Sequence, residues 1–120
     1  MQKLNLQELH HLAMNVVGKE LEDKKFEFIA INSKLKKHPQ FVCVDANNNL
    51  HYILVKAVTY PNNPNEYDNI FLQTFKEHAN KKKAKVWYAG VGIANASNFE
   101  LPVYKDQDFI LNYNGIKEIF

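Results

Sequence analysis

The sequence predicts an α/β fold in which a mixed sheet of four or five strands is flanked by two helices. Three observations lead to this prediction: an apolar stripe at helical spacing near the start of the chain, three short β-rich segments after it, and a second helical stripe followed by another β-rich segment. The predicted element order is α-β-β-β-α-β with a short tail. A length of 120 residues fits a single domain over residues 1–120, since chains of this size usually build one core.

The first helix and the first two strands follow from residue spacing. Apolar side chains recur at three- and four-residue steps from Leu4, which predicts an amphipathic helix ending near Lys24. Residues 26–31 are rich in β-forming residues and predict strand one, while the apolar run at 41–44 predicts strand two. The turn signal at 45–49 predicts a hairpin between strands two and three, so we expect strands one to three to be antiparallel.

Strand three and the second helix are the best-marked elements in the middle of the chain. Residues 50–58 are mostly apolar on both faces, which is typical of a central strand. Asn63, followed by Pro64 and Glu66, matches a capping box and predicts that helix two starts there. A strand over 85–91 follows this helix.

The last third of the chain carries weaker signals. The segment Gly90-Val91-Gly92 predicts a flexible strand end rather than a phosphate loop, because Asn95 stands where the third glycine of such a loop would be. Residues 109–113 predict an accessory hairpin or an edge strand.

Charge and cysteine content narrow the function classes. Fifteen basic residues against thirteen acidic ones give a formal net charge of +2, and all fifteen are Lys, which disfavours base-specific reading by Arg. The single Cys43 excludes a disulfide framework and a four-cysteine zinc or iron–sulfur site, and it is predicted to be a small core residue. No apolar run reaches the roughly 18 residues that a spanning helix needs, so we expect a cytoplasmic protein without a membrane partner.

The five histidines do not predict a metal site. His10 and His11 are adjacent, hence about 100° apart on a helix, which predicts a surface pair rather than shared metal ligation. His38, His51 and His78 have no zinc-ligand spacing, and their convergence in three dimensions stays open at this point. No metal and no cofactor are predicted.

The predicted element order resembles the common core of the restriction-endonuclease-like, or PD-(D/E)xK, nuclease superfamily. In that family an Asp near the start of strand two and an (Asp/Glu)-x-Lys segment on strand three bind one or two metal ions, and a Glu from helix one often assists. Here His38-Pro39-Gln40-Phe41-Val42 looks like the Pro-Asp region, and Ile53-Leu54-Val55-Lys56 looks like the (Asp/Glu)-x-Lys segment. The resemblance covers residues 9–91.

The resemblance implies a catalytically degenerate member of that superfamily. Gln40 stands where the metal-binding Asp would be, and Leu54 stands where the second carboxylate would be. Lys56 matches the family's lysine, and Glu20 is the candidate acid of helix one. Because Mg²⁺ needs hard oxygen ligands, a neutral amide and a leucine should abolish metal-dependent hydrolysis.

In general character the chain also resembles short proteins assigned to the sodium-translocating NADH-quinone reductase, as its flavin-binding component. The work of that component requires a four-cysteine iron–sulfur cluster, a flavin site and a membrane anchor. One cysteine and no spanning segment do not supply them, so the sequence does not support this assignment.

Three functions follow as hypotheses. The first is a non-catalytic module that binds a nucleic-acid backbone or a protein partner, with Lys56, Lys81, Lys82 and Lys83 as candidate phosphate-binding residues. The second is a metal-dependent nuclease with relocated acids, such as Glu20 and Asp45. The third is a self-associating structural protein, a homodimer in which the apolar tail at 116–120 docks on a second copy.

Overall fold

The computed structural model describes residues 2–35 and 37–120 and contains two helices and six strands. The helices are α1 (Leu6–Asp23) and α2 (Asn69–Lys81). The strands are β1 (Glu27–Ile31), β2 (Phe41–Val44), β3 (Leu50–Thr59), β4 (Ala84–Asn95), β5 (Phe109–Asn112) and β6 (Lys117–Ile119). No helix in this described part of the chain is long and apolar enough to cross a membrane.

All six strands belong to one mixed sheet. Its order is β1-β2-β3-β4-β5, and β6 pairs with β4 next to β5. Strands β1 to β3 are antiparallel, β3 and β4 are parallel with α2 as the connection, and both β5 and β6 run antiparallel to β4. The predicted α/β core, its antiparallel first three strands and its central third strand are therefore confirmed. The sheet gains a sixth strand because the tail supplies two short strands.

The two helices pack against opposite faces of the sheet, as the alternation along β3 shows. Ile53 and Val55 belong to the core cluster that includes α1, whereas Leu54 packs with Leu72 of α2. Successive side chains of a strand point to opposite faces, so this central strand serves both cores. Cys43 is buried in the first cluster, as predicted, and burial raises the pKa of its thiol to about 11.

Helix α1 begins at a reciprocal cap. The side chain of Asn5 accepts a hydrogen bond from the Glu8 amide over 2.8 Å, and the Glu8 carboxylate accepts one from the Asn5 amide over 3.0 Å. This capping box satisfies two amides that a helix start leaves without partners. The helix ends at Asp23, close to the predicted end.

The predicted start of helix two is wrong by about one and a half turns. Asn63 forms a turn instead, with its side chain accepting from the amide of Asn65 over 2.9 Å. The helix begins at Asn69, and Asp68 caps it by accepting from the amide of Phe71 over 3.1 Å. The capping-box pattern therefore marks a turn in the loop that precedes α2.

The loop that precedes α2 explains a second correction, at Gly90. Gly90 and Gly92 are buried inside β4 rather than at a flexible strand end. A Cβ atom on Gly90 would lie 1.8 Å from the carbonyl oxygen of Pro64, so only glycine lets the loop cross the strand at this position.

Candidate functional site

A cleft of about 540 Å³ opens at the carboxyl end of β3. Ligands of open α/β sheets bind in such crevices outside the carboxyl ends of strands, and this volume is typical of small-molecule sites. We call it the β3 cleft. Four parts of the chain line it: the start of α1, the segment before β2, the second half of β3, and the segment that leads into α2. The residues discussed below are Leu6, Leu9, His10, His38, Gln40, Leu54, Val55, Lys56, Tyr67, Asp68, Phe71 and Tyr88.

Three of the four residues proposed for the vestigial site line the β3 cleft together. Gln40 directly precedes β2, and the pairing of Phe41 with Ile53 places it beside Leu54. Lys56 is two residues further along β3, so it lies on the same face of the strand as Leu54. The structure thus brings Gln40, Leu54 and Lys56 to one place.

The Gln40 side chain is buried and held by three hydrogen bonds. Its Oε1 accepts from the Val55 amide over 2.8 Å, which fixes the orientation of the carboxamide. Its Nε2 donates to the Lys37 carbonyl over 3.2 Å and to Nδ1 of His38 over 3.0 Å. An amide nitrogen only donates, so Nδ1 of His38 is an acceptor and the proton of this imidazole is on Nε2. Gln40 therefore ties the segment before β2 to β3.

Leu54 and Lys56 differ in their access to solvent. Leu54 is buried against Leu72 and Tyr88, and it closes the floor of the β3 cleft with hydrocarbon. Lys56 is exposed and forms no ion pair with the described residues. The β3 cleft therefore combines an apolar floor with an accessible ammonium group.

Glu20, the fourth proposed residue, lies elsewhere. Its carboxylate accepts hydrogen bonds from the Tyr113 hydroxyl and from the Ile116 amide, the latter over 3.2 Å. Burial, and then the neighbouring Glu20, raise the pKa of the Tyr113 phenol above its usual range. Glu20 holds the turn between β5 and β6 and does not line the β3 cleft.

The acids of the relocated-site hypothesis do not come together either. Asp45 lies at the turn between β2 and β3, where its Oδ2 bonds Nε2 of His51 over 2.9 Å and Asn49 donates to it as well. Among residues 2–35 and 37–120, no group of three or more His, Cys, Asp or Glu side chains could hold a metal ion.

His10 is the residue of α1 that brings a polar ring to the β3 cleft. It is only 2% exposed, and its Nε2 has no hydrogen-bond partner among the described residues. Burial, with smaller contributions from His11 and His38, lowers the pKa of its imidazole below the usual 6.5. The ring is therefore neutral at pH 7 and can either donate or accept at Nε2.

The prediction of a surface pair is wrong for His10 and holds for His11, which is exposed. A signal for the burial was present in the sequence. His10 follows Leu6 by four positions and precedes Ala13 by three, so it falls on the apolar stripe of the helix.

Aromatic rings form the wall of the β3 cleft on the side of α2. The ring centroids of Tyr67 and Tyr88 are 5.0 Å apart, and those of His38 and Phe71 are also 5.0 Å apart. The Tyr88 hydroxyl donates to the Pro64 carbonyl over 3.1 Å, and burial raises the pKa of this phenol to about 12. These contacts hold the rings in place without a ligand.

The second group of candidate phosphate-binding residues lies far from the β3 cleft. Lys81, Lys82 and Lys83 are exposed at the end of α2, whereas the start of that helix lines the cleft. A helix of 13 residues is about 20 Å long, so these lysines and Lys56 cannot bind one phosphate together.

Comparison with known proteins gives a family. A family model described as a domain of unknown function, DUF8840, matches residues 7–119. The matched region includes the whole sheet and, apart from Leu6, every described residue that lines the β3 cleft. Searches of curated proteins and of solved structures find no match.

Proposed function

The chain belongs to the DUF8840 family, and we propose that it is a non-catalytic binding module with a restriction-endonuclease-like fold. The state of Gln40 carries this proposal. At the position where a nuclease of that fold has a metal-binding carboxylate, this chain has a buried amide whose oxygen bonds the backbone of β3. The group braces the fold and presents no charge to a cation.

The topology supports the nuclease-like part of the proposal. Three antiparallel strands are followed by a helical connection and a strand parallel to the third, which is the order that the resemblance implies. Gln40, Leu54 and Lys56 meet where the family's metal site would be. Of these three, only the lysine retains the family's chemistry.

The lining of the β3 cleft favours binding over hydrolysis. Metal-dependent phosphodiester hydrolysis needs carboxylates that hold the ion, whereas Leu54 contributes a buried hydrocarbon side chain here. The remaining walls are aliphatic and aromatic, with few polar groups, as is typical of ligand pockets. Within the described residues Lys56 is the one lysine that lines the cleft, so a nucleic-acid backbone would find a single ammonium group there.

A hydrolysis assay tests the proposal. Purified protein is incubated with Mg²⁺ or Mn²⁺ and with labelled single-stranded and nicked double-stranded DNA, and calorimetry measures binding of Mn²⁺. We expect neither turnover nor metal binding. Metal-dependent turnover that is lost in Glu20→Gln or Asp45→Asn, and kept in the surface control Glu22→Gln, would instead establish a nuclease with relocated acids.

Self-association is a second candidate, and one observation supports it at a surface other than the tail. The tail forms β6 within the sheet, with Ile119 buried, so it is engaged inside its own chain. Strand β1 lies at one edge of the sheet, and Ile29 and Ile31 on it are 58% and 60% exposed. Exposed apolar edge strands favour pairing with a second copy. Light scattering of the wild type and of Ile29→Lys tests for a homodimer.

A further inference from the structure

We infer that the β3 cleft binds a small aromatic carboxylate with a polar group at its far end, and that Lys56 and His10 select the two ends. This inference rests on the proposed binding function and names its ligand class. Three features of the cleft carry it: an unpartnered buried nitrogen, apolar walls with aromatic rings, and an ammonium group outside any ion pair of the described chain.

The unpartnered nitrogen is Nε2 of His10. Buried polar atoms in folded proteins almost always have a hydrogen-bond partner, because leaving one unpaired costs free energy. His10 Nε2 has none among the described residues, and the side chain lines a cleft that a ligand can enter. A hydroxyl or carbonyl group of a ligand would supply the missing partner, since a neutral imidazole nitrogen bonds either group.

The walls of the β3 cleft suit a flat apolar body. Leu9, Leu54 and Val55 provide aliphatic surface, and Tyr67 and Phe71 provide ring surface. Leu6, at the start of α1, also lines the cleft and is 74% exposed. A bound aromatic ring would cover this surface and pack against rings that are already held by their neighbours.

The charge of the β3 cleft favours a single carboxylate. Lys56 has no ion-pair partner in the described part of the chain. Asp68, the other charged side chain among the described lining residues, is engaged by the first turn of α2, whose dipole offsets its charge. His38 bears its proton on Nε2, because Nδ1 faces the Gln40 amide, so it adds a neutral donor. One ammonium and one neutral donor match a monoanion better than a phosphate dianion.

Calorimetric titration with three probes tests the inference. The probes are 6-hydroxy-1-naphthoate, 1-naphthoate, which lacks the hydroxyl, and 6-hydroxy-1-naphthamide, which lacks the charge. For the wild type we expect the first probe to bind about tenfold more tightly than either of the others, since one hydrogen bond to a buried or charged group is worth about that much. In Lys56→Gln the preference for the carboxylate should vanish, and in His10→Phe the preference for the hydroxyl should vanish. The control Lys85→Gln, an exposed lysine at the start of β4, should retain both preferences.

Each comparison is made within one variant, so a loss of overall stability does not imitate the expected result. Equal affinity of the wild type for the naphthoates and the naphthamide, or no binding of any probe, would overturn the inference. Neither outcome touches the proposed non-catalytic function, which fails only if metal-dependent turnover is found. The wild-type measurements alone decide the matter if His10→Phe does not fold.

Discussion

The indole Nε1 of Trp87 donates a hydrogen bond to Nδ1 of His51 over 3.0 Å. An indole nitrogen only donates, so Nδ1 of His51 is an acceptor, and the imidazole proton is on Nε2, where it bonds Asp45 over 2.9 Å. His51 is buried and stacks on Phe26, with ring centroids 4.7 Å apart. Trp87, His51 and Asp45 thus link β4 to the turn between β2 and β3.

Removing the indole donor should destabilise the protein. In Trp87→Phe, Nδ1 of His51 would remain buried without a partner, which costs about 1–3 kcal/mol in addition to the lost packing. Urea unfolding of Trp87→Phe, His51→Phe and the double variant measures the coupling. We expect the double variant to be more stable than the sum of the two single losses predicts. Additive losses would mean that the hydrogen bond contributes nothing of its own.

The Asp45 carboxyl should make the stability depend on acid pH. Its hydrogen bond with His51, and then its bonds with Asn49 and Asn47, hold the pKa of this carboxyl well below the usual 3.8. The unfolded chain therefore takes up the proton first as the pH falls. The contribution of Asp45 is complete above about pH 4 and is lost progressively below it.

Thermal unfolding of the wild type and of Asp45→Asn at pH 7, 4 and 3 measures this contribution. We expect the melting temperature of the wild type to fall more steeply between pH 4 and pH 3 than that of the variant. Parallel curves would show that the bond with His51 does not favour the ionised form of Asp45.

Two glycine substitutions should have opposite effects. A Cβ on Gly90 would lie 1.8 Å from the Pro64 carbonyl oxygen, so Gly90→Ala must displace the loop and should cost about 3 kcal/mol. Gly18→Ala is the matched control, because its Cβ would meet the Phe41 ring at an ordinary 3.5 Å. In the middle of α1 it should stabilise the protein by up to about 1 kcal/mol. Denaturant unfolding of both variants checks the signs, and a neutral Gly90→Ala would mean that the loop is free to move.

The elements that depend on local spacing could be predicted from the sequence. The stripe of α1 and the alternation of β3 indicated their positions, because each is set by residues close in the chain. The start of α2 was predicted wrongly, since the turn at Pro64 depends on its approach to Gly90, a contact that no local pattern encodes.

The candidate site shows the same division. The sequence led to Gln40, Leu54 and Lys56 because the hairpin register is local. Glu20 was assigned to the same site, but its partners Tyr113 and Ile116 come from the tail, whose strands carry weak local signals. The burial of His10 was missed because its polarity was given more weight than its place on the apolar stripe.

The lysines at the end of α2 should give weak, salt-dependent binding of single-stranded nucleic acid. Lys81, Lys82 and Lys83 are exposed and form no ion pair within the described residues. Fluorescence anisotropy of a labelled oligonucleotide at several salt concentrations measures the affinity. Changing all three to Gln should weaken binding at low salt and reduce the slope of log K against log salt by about two.

The single variant Lys56→Gln is the control for this prediction. It removes an ammonium group about 20 Å away, at the other end of α2, and should change the slope by less than about one. No binding by the wild type at low salt would leave these lysines as solvated surface and exclude a role in nucleic-acid binding.

Glu20 should act as an anchor of the tail. Changing Glu20 to Ala removes the acceptor of the Tyr113 hydroxyl and of the Ile116 amide, both partly buried, and should cost about 1–3 kcal/mol. The control is Glu22→Ala, an exposed position in the same turn of α1. Hydrogen exchange should show faster exchange of the Ile116 amide and of β6 in Glu20→Ala alone. Unchanged exchange there, together with weaker binding of the naphthoate probe, would instead place Glu20 in the function of the β3 cleft.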